Sequence, residues 1–443
     1  MAVASKKRPL RYAIVGLGGR SAMYSSALYS SHEKYGKLAA FCDLNPVRMK
    51  FWNDHFQRTH GKKPVPTYRP DRFDRMLKEN RIDRLIVTSM DRTHHRYIIR
   101  AMELGCDVVT EKPLTVDADK CQAIIDTQKK TGRQLTVTFN YRYAPFNSRI
   151  KEIIQSGAIG RVLSVHFEWL LNTQHGADYF RRWHRDKRNS GGLMVHKATH
   201  HFDLVNWWIA SAPELVFGLG RLAFYGRENA EERGELNFYY RARGSRWAKD
   251  DPFALHLEGN ERLEGLYLKA EKEDGYLRDQ SVFGDGISIE DDMAVLVRYR
   301  NRATMTYHLT AYSPWEGYRV MFNGTRGRLE VEIEERPYVS GAKDDFNMPE
   351  LRGLEPRDEA RPAAIVLRPL WGKPLLVNYE KGSGGHGGGD VRLLDDIFIG
   401  PKKDPLGHAA GLYDGVMSIM TGVCANHSFN TGRPIRVDEL VKI

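Results

Sequence analysis

Three histidines lie within six positions of the segment GGLMVHKATHHFD, residues 191–203, and an aspartate ends it. A continuous helix would place His196 and His200, four residues apart, on one face, with His201 turned about 100° away. A neutral imidazole can accept a proton near pH 7, because its ordinary pKa is about 6.5. His200 could therefore take the proton of an alcohol that is being oxidised, with Asp203 orienting its ring. Because the DLVNWWIA that follows is apolar, a purely structural role for these histidines is the alternative.

A metal site is a second interpretation of the same histidines. His196 and His200 could bind a divalent cation together with His386, which lies in the glycine-rich segment GSGGHGGGD (382–390). No HExxH motif or cysteine pair accompanies them, so no metal is expected. The glycine-rich segment is interpreted either as a lid whose His386 and Asp390 reach a sugar or as a surface linker.

A glycine-rich turn in RYAIVGLGGRSAMYSSALYS (11–30) is typical of a dinucleotide-binding site. An apolar strand precedes it, and a helical pattern resumes from about residue 21. Gly16 permits the tight turn, and Gly18, which lacks a Cβ, lets a pyrophosphate approach the backbone at the positive end of the helix. The predicted cofactor loop comprises Gly16, Gly18, Gly19, Arg20 and Ser21.

The second predicted strand, LAAFCD (38–43), ends in an acid. The carboxylate of Asp43 suits the two ribose hydroxyls of NAD and repels the 2′-phosphate of NADP. NAD is therefore the expected cofactor, and Arg48 leaves NADP as the alternative. Asn45 is expected to cap the helix that follows.

Strands and helices continue to alternate at short spacing, which predicts a doubly wound parallel sheet. We expect residues 1–139 to form an NAD(P)-binding Rossmann domain. Glu111, Lys112 and Pro113 directly follow the strand DVVT (107–110), so Lys112 should face the crevice at the carboxyl end of the sheet. A lysine there can donate to a substrate oxygen and stabilise its developing negative charge.

With these motifs in place, the chain resembles the Gfo/Idh/MocA oxidoreductases, relatives of glucose-fructose oxidoreductase and inositol dehydrogenase. The motifs that carry the resemblance are GLGGRS (16–21), SMDRTH (89–94), EKP (111–113), FNYRYAPFNSRIKEIIQSGAIGRV (139–162), GGLMVHKATHHFD and NGTRGRLEV (323–331). The resemblance implies an α/β protein whose second domain, 140–443, is of α+β type with an open, mostly antiparallel sheet. It also implies subunit contacts, hence a homodimer or homotetramer.

The resemblance further implies functional positions. Lys112 and His200 would carry catalysis. His196 stands where many members have an aspartate that helps to bind or activate the substrate hydroxyl, so it is a third catalytic candidate. Losing that negative charge should make the pocket tolerant of an anionic substrate. The other expected cofactor contacts are Asn45, Ser89, Asp91, His94, Glu111 and Lys112. The expected substrate contacts are Tyr141, Arg142, Trp183, His196, Asp203 and His386.

The basic run RRWHRDKR (181–188) is interpreted as a solvated loop. The alternative is that Arg182, Trp183 and Arg185 contact a sugar, with Trp183 stacked on its apolar face. Two polar segments, 226–280 and 334–390, exceed what the family's basic sheet needs. We expect them to form the rim of the pocket or an oligomer contact.

The expected function is NAD-dependent hydride transfer from a ring hydroxyl of a carbohydrate or glycoside. The alternative is a redox-assisted glycosidase or lyase that acts through a keto-sugar. A non-catalytic dinucleotide sensor is disfavoured by the presence of both Lys112 and His200.

Composition excludes several other classes. The net charge of +11 is spread along the chain without a nucleic-acid-binding motif, so no nucleic-acid partner is expected. No apolar stretch of about 20 residues and no secretory signal is present, so neither a membrane span nor export is expected. The four cysteines are isolated, which indicates reduced thiols and a cytoplasmic location.

Overall fold

A computed structural model describes residues 8–339, 363–380, 382, 385–400 and 403–443, with residues 385 and 386 described by their backbone alone. Two sheets organise these residues, one of six strands and one of nine. Among the described helices, none has the length and apolarity that crossing a membrane would require.

The six-stranded sheet is parallel throughout, in the order β3-β2-β1-β4-β5-β6. Its strands are β1 (Leu10–Val15), β2 (Gly36–Cys42), β3 (Thr67–Tyr68), β4 (Arg84–Val87), β5 (Asp107–Thr110) and β6 (Leu135–Val137). The helices that connect them are α1 (Ser21–Tyr29), α2 (Pro46–His60), α3 (Phe73–Glu79), α4 (His94–Glu103) and α5 (Ala118–Thr131). The strand order reverses between β1 and β4, and ligands bind at such a switch point, beyond the carboxyl ends of the strands.

The nine-stranded sheet has the order β14-β13-β12-β11-β7-β10-β9-β8-β15. All its neighbours are antiparallel except β7 and β10, which are parallel. Its strands are β7 (Val162–Asn172), β8 (Pro213–Arg221), β9 (Asp292–Tyr299), β10 (Thr304–Ser313), β11 (Glu316–Gly324), β12 (Gly327–Arg336), β13 (Ala364–Pro369), β14 (Leu375–Leu376) and β15 (Ile435–Arg436). The predicted fold class, a Rossmann sheet followed by an open, mostly antiparallel sheet, is confirmed.

The helices of this second part do not all pack on its own sheet, because the helix Gly389–Phe398 buries apolar side chains beside Tyr12 and Ile14 of the six-stranded sheet. They are α6 (Pro145–Gln155), α7 (Thr173–Arg181), α8 (Lys187–Ser190), α9 (Gly192–His196), α10 (Ala198–Trp208), α11 (Arg227–Glu232), α12 (Glu261–Leu263), α13 (Glu271–Asp274), α14 (Gly389–Phe398), α15 (Leu412–Thr431) and α16 (Val437–Leu440). A Cβ at Gly422 of α15 would lie 2.3 Å from the carbonyl oxygen of Met194. Glycine therefore lets α15 approach α9 closely and seat the segment that carries His196.

The histidine-rich segment forms two helices, not one. α9 ends at His196, and α10 begins after Lys197. The ring of His196 lies 4.2 Å from that of His184, whereas the ring of His200 lies 5.0 Å from that of Tyr141. The prediction that His196 and His200 share one helix face is therefore wrong, because the chain turns between them and each ring packs against different neighbours.

The polar segment 226–280 does not stay beside its own sheet but crosses to the nucleotide-type sheet. The side-chain amide of Asn45 donates to the carbonyl oxygen of Ala270 at 2.9 Å. A Cβ at Gly265 would lie 2.2 Å from the ring of Phe51, so the segment packs tightly against α2. Segment 226–280 was expected at the rim of the pocket or in an oligomer contact, and its composition gave no sign that it packs against the nucleotide-type sheet of the same chain.

Candidate active site

The glycine loop after β1 has an open backbone at its centre. Gly16 has φ +85°, and a Cβ there would lie 2.3 Å from the Cα of Ser89, so only glycine fits. At Gly18 a Cβ would meet no atom within 4 Å among the described residues. The hydroxyl of Ser21 donates to the carbonyl oxygen of Gly18 at 2.8 Å and fixes the first turn of α1. This arrangement leaves room for a phosphate at the helix N-terminus.

The carboxylate of Asp43 is fixed at the end of β2. It accepts hydrogen bonds from the backbone N–H groups of Leu17 at 2.5 Å and Asn45 at 2.7 Å. Burial raises the pKa of Asp43, although the Arg48 guanidinium opposes this. Arg48 lies 2.6 Å from Asp274 and 3.7 Å from Asp43. The guanidinium is therefore held between two carboxylates, which lowers its availability to a 2′-phosphate.

Residues 260–276, here called the strap, lie across the glycine loop. The guanidinium of Arg262 donates to the carbonyl oxygen of Gly19 at 2.5 Å. The hydroxyl of Tyr267 accepts a hydrogen bond from the Gly19 N–H at 3.2 Å. The strap was missed at the level of sequence, where the only signal was the surplus length of segment 226–280.

The carboxylate of Glu111 lies beneath the loop. It accepts from Arg20 at 2.5 Å and from the hydroxyl of Tyr24 at 2.6 Å. Burial alone would raise the pKa of Glu111, but the Arg20 guanidinium and these hydrogen bonds lower it below its ordinary value. Glu111 therefore ties the strand-end motif to α1 as a charged group.

His94 joins the two loops that bear the strand-end motifs. Its Nδ1 lies 2.8 Å from the carbonyl oxygen of Pro113, and its Nε2 lies 3.0 Å from that of Ser89. The Lys112–Pro113 peptide bond is cis. Lys112 Nζ donates to the carbonyl oxygen of His196 at 3.0 Å, across the junction of the two sheets. The EKP lysine and the histidine segment therefore meet directly.

Asp91 contacts a histidine of the second sheet's helices. His196 Nδ1 lies 2.5 Å from Asp91 Oδ2, and both side chains are buried. Burial lowers the pKa of His196 and of His184 well below the ordinary value for histidine, and the Lys112 charge lowers the pKa of both further. Burial also lowers the pKa of Lys112 to about 8, although Asp91 opposes this shift. The site thus holds neutral imidazoles beside a lysine that titrates near neutrality.

His200 and Tyr141 are neighbours at the same junction. Their rings meet edge to face at 5.0 Å, and the ring of Phe139 lies 6.0 Å from that of His200. His201 faces elsewhere, as expected, because its Nδ1 lies 2.6 Å from the hydroxyl of Tyr307 and its ring stacks on Trp169. His200 and His196 are thus two separate candidates for proton transfer.

Arg142 and Asp203, both expected near substrate, are partners of each other. Arg142 Nε lies 2.7 Å from Asp203 Oδ2, and Arg142 Nη2 lies 2.6 Å from Asp203 Oδ1. A third contact joins Arg142 Nη2 to Asp414 at 2.8 Å. This buried ion pair links the start of the second part to α10 and α15, and it engages the carboxylate that was expected to orient His200.

The interpretation of RRWHRDKR as a solvated loop is wrong. His184 is 3% exposed and Arg185 is 6% exposed. Arg185 donates to the carbonyl oxygen of Ser281 at 3.1 Å, so the run is held against the segment that follows β8. Trp183, the expected sugar-stacking residue, stacks on His184 with ring centroids 3.6 Å apart.

The potential metal ligands that the structure brings together differ from the predicted set. One ligand atom each of Asp91, His184 and His196 lies within 4.8 Å of the others. The side chain of His386 lies outside the described residues. Asp390 accepts from Asn140 at 2.5 Å and so lies at the junction of the two sheets. His184 was missed because the basic charges around it suggested a surface loop.

The chain is similar to a family of oxidoreductases along most of its length. The model of an oxidoreductase family's NAD-binding Rossmann fold matches residues 10–139, and that of the same family's C-terminal alpha/beta domain matches residues 151–437. YteT of Bacillus subtilis, named as an oxidoreductase, is 35% identical over 454 residues, which cover 97% of this chain and 98% of that protein. A glycosyl hydrolase family 109 protein of Shewanella baltica is 22% identical over 447 residues, covering 97% and 84%.

Among solved structures, the aldose-aldose oxidoreductase from Caulobacter crescentus, complexed with glycerol, has the same fold. Its TM-score is 0.61 at 18% identity, and the alignment covers 97% of this chain and 100% of that one. At 18% identity, this similarity is evidence for the fold alone.

Proposed function

Because the chain belongs to the Gfo/Idh/MocA oxidoreductase family, we propose that it transfers hydride between a ring hydroxyl of a carbohydrate or glycoside and NAD. The observation that carries the proposal is the contact between Lys112 Nζ and the carbonyl oxygen of His196 at 3.0 Å. This contact joins the strand-end motif of the nucleotide sheet to the histidine segment of the second sheet. It supports the proposal because it brings the amine of Lys112 to the segment that carries both His196 and, four residues later, His200.

NAD, when bound, supplies the nicotinamide that accepts or returns hydride. The residues that would hold it are those of the glycine loop, with Gly18 leaving room for the pyrophosphate and Asp43 accepting from the ribose hydroxyls. The preference for NAD over NADP is supported by the two carboxylates of Asp43 and Asp274, which lie on either side of Arg48. The carboxylates of Asp43 and Asp274 would repel a 2′-phosphate, and the guanidinium of Arg48 is already paired with both of them.

Lys112 is proposed to hold the reacting oxygen. In its ammonium form it donates to the substrate oxygen and stabilises the negative charge that grows there as the hydroxyl is oxidised. Its partial burial makes this interaction stronger than it would be in water. The family position of His200 supports it as the group that takes the hydroxyl proton. His196, hydrogen-bonded to Asp91, is proposed as a second acceptor on the Lys112 side.

A carbohydrate substrate is supported by the kind of surface around these groups. The half-buried Trp183 and the buried Tyr141 supply aromatic area near the candidate residues. Lys197, between His196 and α10, lies 4.9 Å above the Trp169 ring and adds a buried positive charge. That charge supports a substrate that carries an anionic group.

The direct test is a panel of neutral and anionic glycosides incubated with NAD, with NADH followed by its absorbance. We expect NADH formation with wild-type protein and a loss of at least about 100-fold in rate for Lys112→Gln, which removes the charge stabilisation. Lys151→Gln is the matched control, because Lys151 also donates to a backbone carbonyl, that of Trp207, but lies away from the glycine loop. Equal rates for the two variants would refute the role of Lys112.

A second candidate function is a redox-neutral glycosidase or lyase. Oxidation of one ring carbon would acidify the neighbouring C–H, and loss of that proton would expel the aglycone, which leaves as an alcohol after it takes up a proton. In a glycosidase, water would add across the resulting double bond, whereas in a lyase the double bond would stay. The same hydride would then return to the carbonyl carbon of the sugar. The strap favours this candidate, because Arg262 and Tyr267 cover the loop where NAD would have to stay through the whole cycle. Cleavage of a glycoside without added NAD and without net NADH formation would support it over the first.

A further inference from the structure

Three buried side chains of the kind that bind divalent metals converge beside Lys112. A carboxylate oxygen of Asp91 and one ring nitrogen each of His184 and His196 lie within 4.8 Å of one another, the one such group among the described residues. We propose that these three side chains bind a divalent transition metal of the Zn²⁺ type. The site goes beyond the proposed redox function, because metal binding can be measured without NAD or substrate.

The ligand set decides which cation fits. Two imidazoles and one carboxylate bind Zn²⁺ and similar ions while leaving a position open for a substrate oxygen or water. Mg²⁺ prefers oxygen ligands in octahedral geometry and keeps most of its waters. The cluster should therefore select Zn²⁺ strongly over Mg²⁺. An ion here would lie next to Lys112, where it could hold a substrate oxygen adjacent to the reacting one.

His184 provides an observation independent of the cluster's composition. Its side chain is 97% buried, and its Nδ1 has no hydrogen-bond partner within the described part of the chain. Buried polar atoms almost always have a partner, and an unpaired one calls for an unseen ligand or water. The ring belongs to the metal-type group, and an ion bound through Nδ1 would give this nitrogen its missing partner.

The three ligands are held by three different elements. Asp91 begins the 3-10 turn Asp91–Thr93 after β4, His184 lies in the turn Trp183–Arg185, and His196 ends α9. The ring of His184 is fixed by stacking on Trp183 at 3.6 Å. Convergence of separate elements on one point, with at least one ring already fixed, is what a preorganised metal site requires.

Only small movements separate the present geometry from a metal-bound one. Ligand atoms about 2.1 Å from a tetrahedral Zn²⁺ are about 3.4 Å apart. His196 Nδ1 and Asp91 Oδ2 are now 2.5 Å apart, so they would separate by about 1 Å as the ion replaces the proton between them. The widest pair, at no more than 4.8 Å, would close by about 1.4 Å or less.

Positive side chains surround the cluster, among them Lys112, Arg182, Lys197 and Arg278. Lys112 directs its amine to the carbonyl oxygen of His196 at 3.0 Å. Arg182 is paired with Asp178 at 3.1 Å. Asp91 is then the carboxylate that offsets the charge of the ion.

The test is calorimetric titration of tag-free, full-length protein, stripped with EDTA and dialysed, with ZnCl₂ and separately with MgCl₂. We expect one tightly bound Zn²⁺ per chain and Mg²⁺ binding at least about 100-fold weaker. His184→Gln should weaken Zn²⁺ binding by at least about 10-fold. The matched control is His308→Gln, because His308 also lies beside a carboxylate, that of Asp292 at 2.9 Å, but on the sheet surface.

Two results would overturn the proposal: no one-to-one Zn²⁺ binding by the wild type, or equal weakening by His184→Gln and His308→Gln. Thermal melting of each variant shows whether it is folded. If His184→Gln does not fold, the position of Zn²⁺ in a crystal of the wild-type protein tests the proposal instead. An anomalous difference peak at the zinc edge among Asp91, His184 and His196 supports the site, and a peak only elsewhere overturns it.

Discussion

Asparagine in place of Asp43 should convert the proposed preference for NAD into a preference for NADP. The carboxylate lies at the end of β2, where it accepts from the N–H groups of Leu17 at 2.5 Å and Asn45 at 2.7 Å. Asparagine has the same shape but keeps only one acceptor oxygen and carries no charge. Hydrogen bonds from the ribose hydroxyls to a charged acceptor contribute about 1.5–3 kcal/mol. Asp43→Asn should therefore weaken NADH binding by about 10- to 150-fold.

The same change removes a repulsion that disfavours NADP. A unit charge about 5 Å from a phosphate charge contributes about 3 kcal/mol at an effective dielectric of about 20. With Asp43 gone, Arg48 keeps one carboxylate partner, Asp274 at 2.6 Å, and can turn toward the 2′-phosphate. Together the two effects should change the ratio of NADH to NADPH affinity by about 1,500- to 20,000-fold.

Fluorescence titration with NADH and NADPH measures both affinities. Asp274→Asn is the matched variant, since it removes the other carboxylate beside Arg48 but leaves the ribose partner in place. It should change the ratio in the same direction by a smaller amount. A ratio in Asp43→Asn within about threefold of that of the wild type would refute the assignment of the ribose site.

Three further predictions rest on contacts and electrostatics of the described residues. In EDTA-treated protein, the single-turnover rate of NADH formation should fall as pH rises through about 8. Burial lowers the pKa of Lys112 to about 8, and only the charged ammonium stabilises the substrate oxygen. Lys112→Arg should show no such decrease, and a wild-type rate that rises through pH 8 would contradict the role of Lys112. Arg262→Ala should speed NADH release about 10-fold in a stopped-flow displacement assay, because the hydrogen bond from Arg262 to Gly19 is lost. Arg246→Ala, at an exposed position, should leave the release rate unchanged. Equal release rates for the two variants would exclude a role for the strap in holding NADH. Arg142→Met should lower the free energy of unfolding by about 3–5 kcal/mol in a denaturant titration, because Asp203 is left buried and without its arginine partner. Arg149→Met removes a surface ion pair with Glu152 and should lower the free energy of unfolding by less than about 1 kcal/mol.

The nucleotide sheet could be predicted because its signals are local. A buried strand, a glycine turn with φ +85° at Gly16 and an acid at the end of the next strand all lie within about 30 residues of sequence. Lys112 was predictable for the same reason, since it directly follows β5. Motifs of this kind need no knowledge of how distant segments pack.

The features that were missed depend on contacts between distant segments. His184 is buried because β10, α7 and the turn around it pack together, while its own sequence neighbours are mostly basic. The strap lies more than 200 residues from the glycine loop that it covers, and its hydrogen bonds to that loop use one arginine and one tyrosine hydroxyl. The break between α9 and α10 could not be predicted either, because the sequence around it contains no proline. In each case tertiary packing outweighed a local pattern.

The most direct measurement is the fate of a deuterium atom placed on the ring carbon that is oxidised. Glycosides deuterated at individual ring carbons are mixed with the protein and NAD, and the mass of the reduced nicotinamide is measured. The account predicts that one labelled position transfers its deuterium to NADH, and that Lys112→Gln slows this transfer by at least about 100-fold while Lys151→Gln does not. Conversion of the glycoside with no deuterium on the nicotinamide, and none passing through it and back to the sugar, would contradict hydride transfer at this site.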